Sequence, residues 1–348
     1  MVINTGKYTT VLTQLLLILT ISSLMTLNNS QSTPINPSAI SFLGNIRIAY
    51  YNGNGAWVYD NIVIPNLVDW FGTNLTMVRG EDIKGGILDD FDILIWPGGS
   101  YPTYWDELGL EGKAEIQKFV SNGGGYLGIC AGAYYAADYI IWKRDPAYPD
   151  PPYKVEGNET NLDLFPGVAI GPISQIGVDP LWGWAMTQIN IVNHTHPITV
   201  SLPDSMQILY AGGPNLQPYE EANVTILGTY ERTESPAIVT CYYGDGRVFL
   251  ISPHAEIEED SDRDGVKPFP MLTDEESDWP LLLEAAKWLV NSVDHPVTGL
   301  SSTSALSTTT REDKVSGWSF YLFILLLGLV YGTRKFRGNK RNLIMVKR

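Results

Sequence analysis

An α/β fold, a three-layer sandwich with a mainly parallel central sheet, is what this sequence predicts. Three observations carry that expectation: short apolar runs that end in glycine, helical patterns set between them, and a second half built of short strands joined as hairpins. The chain has 348 residues, 44% hydrophobic and 18% charged, which is ample for a large buried core. Residues 43–295 show no internal repeat and no composition break, and read as one domain.

Within that domain, NIRIAYY (45–51) reads as a strand that runs into the glycine-bearing loop NGNGAW, followed by a helical pattern over VYDNIVIPNLVDWFG. LTMVR and DILIWPGG are two more strands, the second ending at Gly98 and Gly99. WDELGLEGKAEIQKFVSNGGG is a helix with a glycine stop. YLGIC is the next strand, and AGAYYAADYI reads as the opening of another helix. Strands covered on both faces show as near-continuous apolar runs, which points to a parallel arrangement. In such sheets ligands bind beyond the carboxyl ends of the strands, a rule that gathers the NGNG loop, Gly98-Gly99 and Cys130 on one edge. QINIVN, MQILYAGG, VTILGTY, PAIVTCYY and GRVFLIS are the short strands of the second half, with YYGDGR as the clearest hairpin turn. DWPLLLEAAKWLVNSV closes the domain as a helix.

The two ends read differently. Residues 1–30 contain the apolar stretch VLTQLLLILTISSLMTL, expected to be a signal peptide or an N-terminal membrane anchor. Residues 296–316 are rich in Ser and Thr and read as a stalk, 317–333 as a transmembrane helix, and 334–348 as a basic cytoplasmic tail. Together with sequons at Asn28, Asn74, Asn158, Asn193 and Asn223, this places the domain outside the cell, tethered to the membrane by a single C-terminal span. The net charge of −15 repels phosphate backbones, so no nucleic-acid partner is expected.

The chemistry centres on Cys130, set between Gly128 and Gly132 where a strand stops and a helix starts. Glycines two residues either side remove side chains that would collide in a sharp turn, and a thiol at its apex points outward. The alternative is a small apolar core residue. Cys241, in a strand, reads as core; two cysteines are no disulfide framework, though they could pair with each other. Of the four histidines, His194 and His196 read as parts of a turn. His254 follows a strand directly, which brings it to the edge that carries Cys130, and Glu256 stands two residues on as an acceptor able to fix its tautomer.

These residues resemble the class I glutamine amidotransferase-like superfamily, with its G-x-C-x-G elbow (Gly128, Cys130, Gly132) and H-x-E pair (His254, Glu256). The closer resemblance is to the biotin-protein ligase N-terminal domain family, through the WPGG, GICAGAYYA, GG-N and GRV-L-SPH-E blocks over roughly residues 45–292. The resemblance implies a flavodoxin-like sandwich, a catalytic set of Cys130, His254 and Glu256, and an oxyanion or binding role for Gly98, Gly99 and Ala131. The Cys-His-Glu set points to acyl transfer to water at an amide of a small molecule or peptide, and the two ends of the chain place that activity on a membrane-anchored extracellular protein. The rival is a non-catalytic binding module, for which Trp57, Trp96, Tyr101, Tyr104, Tyr134 and Tyr135 would supply flat surfaces. No cofactor is expected. Separately, Asp260, Asp262 and Asp264 before Gly265 copy the first half of a calcium loop, but position twelve is Met271, and a solvated acidic turn is the competing reading.

Overall fold

The computed structural model describes residues 43–143, 154–156, 159–177, 183–258, 263–266, 272 and 276–290. Its first half alternates strands and helices: β1 (Arg47–Tyr51), α1 (Asp60–Trp70), β2 (Asn74–Val78), α2 (Gly80–Lys84), β3 (Ile93–Trp96), α3 (Tyr101–Ser121), β4 (Gly125–Ile129) and α4 (Ala131–Ala136). Strands follow one another after that: β5 (Ala137–Trp142), β6 (Lys154–Glu156), β7 (Phe165–Gly171), β8 (Trp184–Ile191), β9 (Ser205–Ala211), β10 (Asn215–Pro218), β11 (Val224–Tyr230), β12 (Pro236–Tyr243) and β13 (Gly246–Ile251). The last described element is α5 (Trp279–Val290).

Nine strands form one mixed sheet in the order β2-β1-β3-β4-β13-β12-β11-β8-β9. From β2 to β13 neighbours run parallel, and from β13 to β9 each pair is antiparallel. Side chains of a strand alternate between faces, so β1 and β3 supply both cores at once. Ile48, Tyr50, Ile93 and Ile95 pack with Ile64 and Leu67 of α1 and with Leu281 and Leu282 of α5. Ala49, Tyr51, Leu94 and Trp96 pack on the opposite face with Tyr104, Leu108 and Ile116 of α3. The fold class is therefore α/β with three layers, as expected.

Two local readings change. Helix α3 begins at Tyr101, ahead of the expected start at Trp105, because Pro102 in its first turn has no N–H to leave unpaired. The helix expected over AGAYYAADYI stops after six residues. Its remainder becomes β5, which pairs with β7 and β6 in a second, four-stranded sheet, β10-β7-β5-β6. Tyr139, Ile140, Ile141 and Trp142 suit a strand, and pairing partners from distant segments, invisible to local pattern, decide the matter.

The membrane placement is corrected. Among the described residues no helix is long and apolar enough to cross a bilayer. Helix α3, the longest of those described, spans 21 residues but carries Asp106, Glu107, Glu111, Lys113, Glu115 and Lys118, and α5 has only 12 residues against the ~20 that a hydrocarbon core requires. The stretches read as leader, stalk, span and tail (1–30, 296–316, 317–333 and 334–348) lie outside the described residues. The tether, the membrane partner and the extracellular location are withdrawn together, and with them the reading of the function as that of a membrane-anchored extracellular protein.

Candidate active site

Cys130 stands at the junction of β4 and α4 with φ 48° and ψ −102°, a positive φ that a side-chain-bearing residue rarely adopts. Such a conformation costs on the order of 1–3 kcal/mol and persists only where the surroundings impose it. Here they do. Cys130 N–H donates to Ile251 O at 2.9 Å, Gly132 N–H to Pro97 O at 3.0 Å, and the Tyr126 hydroxyl to Gly132 O at 2.9 Å. A Cβ on Gly128 would lie 2.7 Å from the Tyr126 ring and 2.9 Å from Gly132 O, and one on Gly132 would lie 2.5 Å from Trp96 O. The two glycines thus let α4 turn back against the ends of β3 and β4.

Ile129 and Ile251 are register partners, so β4 and β13 end level with each other. Three residues beyond Ile251, His254 is held by its N–H donating to Leu209 O at 2.7 Å. Its ring is buried, with Nδ1 2.6 Å from Glu256 Oε1, and Cys130 is near enough to act on it electrostatically, its Sγ lying 3.8 Å from Ala211 O. Burial alone would lower the imidazole pKa, but the Cys130 charge, its hydrogen bond and Asp60 outweigh that and raise it. The protonated ring is favoured in this setting. Helix α4, at six residues, is too short to add much through its dipole, so the histidine is the partner that matters.

A fourth group joins them. Asp60, the first residue of α1, is fully buried, and its Oδ2 accepts the Gly98 N–H at 2.7 Å. Burial, reinforced by Glu256, holds its pKa well above the carboxylic range, and burial pushes Glu256 up to about 8. One donor atom each from Asp60, His254 and Glu256 lie within 4.8 Å of one another. With Nδ1 bonded to Glu256 and Oδ2 to an amide, the set is arranged as a hydrogen-bond chain rather than as open metal ligands.

Gly98 is where these parts touch. A Cβ there would sit 2.6 Å from His254 Cε1, 3.4 Å from Asp60 Oδ2 and 3.5 Å from Cys130 Cβ. Gly99 has φ 134° and bridges Ala56 of the NGNGAW loop. Around the elbow the N–H groups of Gly98, Cys130 and Gly132 are committed to Asp60 Oδ2, Ile251 O and Pro97 O.

Of the aromatic residues expected near the cleft, Trp96, Tyr101, Tyr104, Tyr134 and Tyr135 are core, whereas the Trp57 ring lies 4.7 Å from His254. Tyr59 and Trp184 pack edge-on against Trp57 at 4.9 and 5.2 Å, forming a half-buried aromatic wall beside the triad. Sequence reasoning missed Asp60, Tyr59 and Trp184. For Asp60 a signal existed: an acidic residue opening the helix directly after the glycine loop of β1, on the edge already singled out. Cys130 and Cys241 are both free thiols, the latter buried in β12 with its pKa pushed up to about 12. His194 and His196 lie in turns, His196 against the Trp288 ring. Asp264 is buried, accepting the N–H groups of Glu258 and Val266 at 3.0 Å each; Asp260 and Asp262 lie outside the described residues.

The family described as "Biotin-protein ligase, N terminal" matches residues 89–275, which include the elbow, His254 and Glu256. The chain belongs to that family. Among relatives of the biotin-protein ligase N-terminal family, a biotin–protein ligase of Schizosaccharomyces pombe is 30% identical over 169 residues, 47% of this chain and 25% of the relative. An uncharacterized protein of Chlamydia muridarum is 28% identical over 167 residues, 47% of this chain and 60% of its own length. The match thus spans a quarter of one relative and three-fifths of the other. Among solved structures, PurLQS from Thermotoga maritima aligns with a TM-score of 0.47 at 17% identity, covering 70% of this chain and 99% of that one. A glutamine amidotransferase from the same organism aligns at 0.46 and 13% identity, covering 70% and 98%.

Proposed function

We propose that this domain carries out cysteine-dependent acyl transfer. The observation that carries the reading is the buried Cys130–His254–Glu256 chain at a strained elbow, with the Glu256 carboxylate 2.6 Å behind the ring. In the first step the Cys130 thiolate adds to a substrate carbonyl carbon, and the carbonyl electron pair moves onto oxygen. We assign the Gly99 and Ala131 N–H groups to that oxyanion. The His254 imidazolium then gives its proton to the leaving group as the tetrahedral species collapses to a thioester, and the neutral ring next takes a proton from the incoming nucleophile. Glu256 holds Nδ1–H throughout and fixes which nitrogen faces the sulfur. The wall of Trp57, Tyr59 and Trp184 suits an acyl group or leaving group with a flat apolar face. The ligase activity of the Schizosaccharomyces pombe relative is not carried over, since the match covers a quarter of that protein.

The test is an electrophilic amide analogue followed by mass spectrometry. One adduct on Cys130 is expected at neutral pH under reducing conditions, none in Cys130→Ala, and at least ~100-fold slower modification in His254→Ala. An unmodified Cys130 in the wild-type chain would sink the reading.

A further inference from the structure

Two oxygen atoms in the site are left without a donor. Asp60 Oδ1 and Glu256 Oε2 are buried and have no hydrogen-bond partner when both groups are counted as carboxylates. Both residues are fully inaccessible to water, and their other oxygens are committed to Gly98 N–H and His254 Nδ1. Buried carboxyl oxygens without donors are rare, and two on adjacent groups satisfy each other with one proton. One carboxyl oxygen of Asp60 and one of Glu256 lie within 4.8 Å of each other, and each group's titration responds to a side-chain hydrogen bond with the other. We propose that Asp60 is a protonated positioning residue that donates its O–H to Glu256, so that one proton is shared by the pair and Glu256 accepts from Asp60 and His254 together.

The surroundings favour that state from every side. Tyr50 on β1 and Tyr104 on α3 are near enough to feel the Asp60 charge, Tyr50 also that of Glu256, and Asp264 adds negative charge beside Glu256. The compensating cation within the cluster is His254, which already faces Cys130. Two ionised carboxylates so close, away from water, repel one another, so one of them keeps its proton. Burial raises both groups, but Glu256 Oε1 faces the His254 ring nitrogen at 2.6 Å whereas Asp60 has only the Gly98 amide, which puts the proton on Asp60.

The consequence is chemical. A lone buried Glu256 would be basic enough to draw the Nδ1 proton off the imidazolium and collapse the ion pair with Cys130. An O–H donated by Asp60 weakens that basicity and pins the carboxylate plane, and Asp60 Oδ2 at the same time holds the Gly98 loop against the ring. The role of the pair in acyl transfer rests on the function proposed above; the shared proton itself does not.

Infrared spectroscopy of the full chain tests the proton directly. Wild type is expected to show a protonated-carboxyl stretch at neutral pH that shifts in D2O, and Asp60→Asn to lack it. The amide of Asp60→Asn can accept from Gly98 and donate to Glu256, so it mimics the protonated acid. Alkylation of Cys130 by iodoacetamide should then stay within about twofold of wild type in Asp60→Asn, while in Asp60→Ala its pH midpoint moves up by roughly one unit or more, a tenfold loss below the midpoint. No such band in wild type, an undiminished band in Asp60→Asn, or an alkylation profile of Asp60→Asn matching that of Asp60→Ala overturns the proposal. Should Asp60→Asn fail to fold, Glu256→Gln, which removes the charged acceptor, is expected to shift or lose the same band, and a band unchanged in that variant overturns the proposal. A band without any adduct at Cys130 supports the shared proton and overturns only the acyl-transfer reading.

Discussion

Cys130 and Cys241 show how position, rather than residue type, sets reactivity. Both are largely screened from water, but Cys130 lies beside an imidazole at a turn, whereas Cys241 sits mid-strand in β12 with its thiol pKa pushed up by burial. A thiol reagent at neutral pH is therefore expected to titrate one cysteine rapidly in the folded protein and both in denaturant, with Cys130→Ala removing the fast phase. Fast reaction of Cys241 in the native state would contradict the burial described. The role of Asp60 also belongs to this scale. The residue types at 130, 254 and 256 were legible because their chemistry is uncommon and their spacing from glycines is short. Asp60 was not, because an acidic residue opening a helix is the ordinary way to complement its dipole.

Among the elements, the meeting of β3, β4 and α4 is the tightest constraint. Gly132→Ala would drive a Cβ to 2.5 Å from Trp96 O, a backbone atom fixed inside the sheet, so α4 must shift. The expected cost is about 1–3 kcal/mol, read as a lower denaturant midpoint with unchanged slope. Gly98→Ala is different: its Cβ would meet the His254 ring at 2.6 Å, so the loss should fall mainly on Cys130 reactivity, at least ~10-fold, with a smaller effect on stability. Equal stability losses in the two variants would contradict this division. The strands of the parallel half were visible from apolar runs bounded by glycine. The four-stranded second sheet was not, because β5 follows α4 without a break and its partners β6 and β7 come from later in the chain.

For the molecule as a whole, the buried cluster links folding to pH. Asp60, Glu256 and His254 all have raised pKa values in the folded state. Each therefore binds protons more tightly folded than unfolded, so the stability it contributes is fully present below its ordinary pKa and is lost as pH rises from there through the raised folded value. For the Asp60–Glu256 pair, which shares one proton in the folded state, the decline starts in the ordinary carboxylic range and extends well above it, through neutral pH. Thermal midpoints measured across that window should drop, and Glu256→Gln should flatten the slope. A midpoint that rises steadily from pH 5 to pH 8 would contradict the burial of these acids, since depressed carboxylic pKa values give the opposite sign.

By itself the sequence determined the α/β class, the glycine-flanked elbow and the pairing of His254 with Glu256, because apolar periodicity and the spatial needs of a tight turn act over a few neighbouring residues. It suggested a membrane tether from apolar stretches at either end, a suggestion that no described helix supports. Only the tertiary structure decided that Asp60 joins the triad, that Trp57 and Trp184 flank it, and that β5, β6, β7 and β10 leave the main sheet to build a second one. Those outcomes depend on which distant strands become neighbours, and that is set by the packing of the whole core.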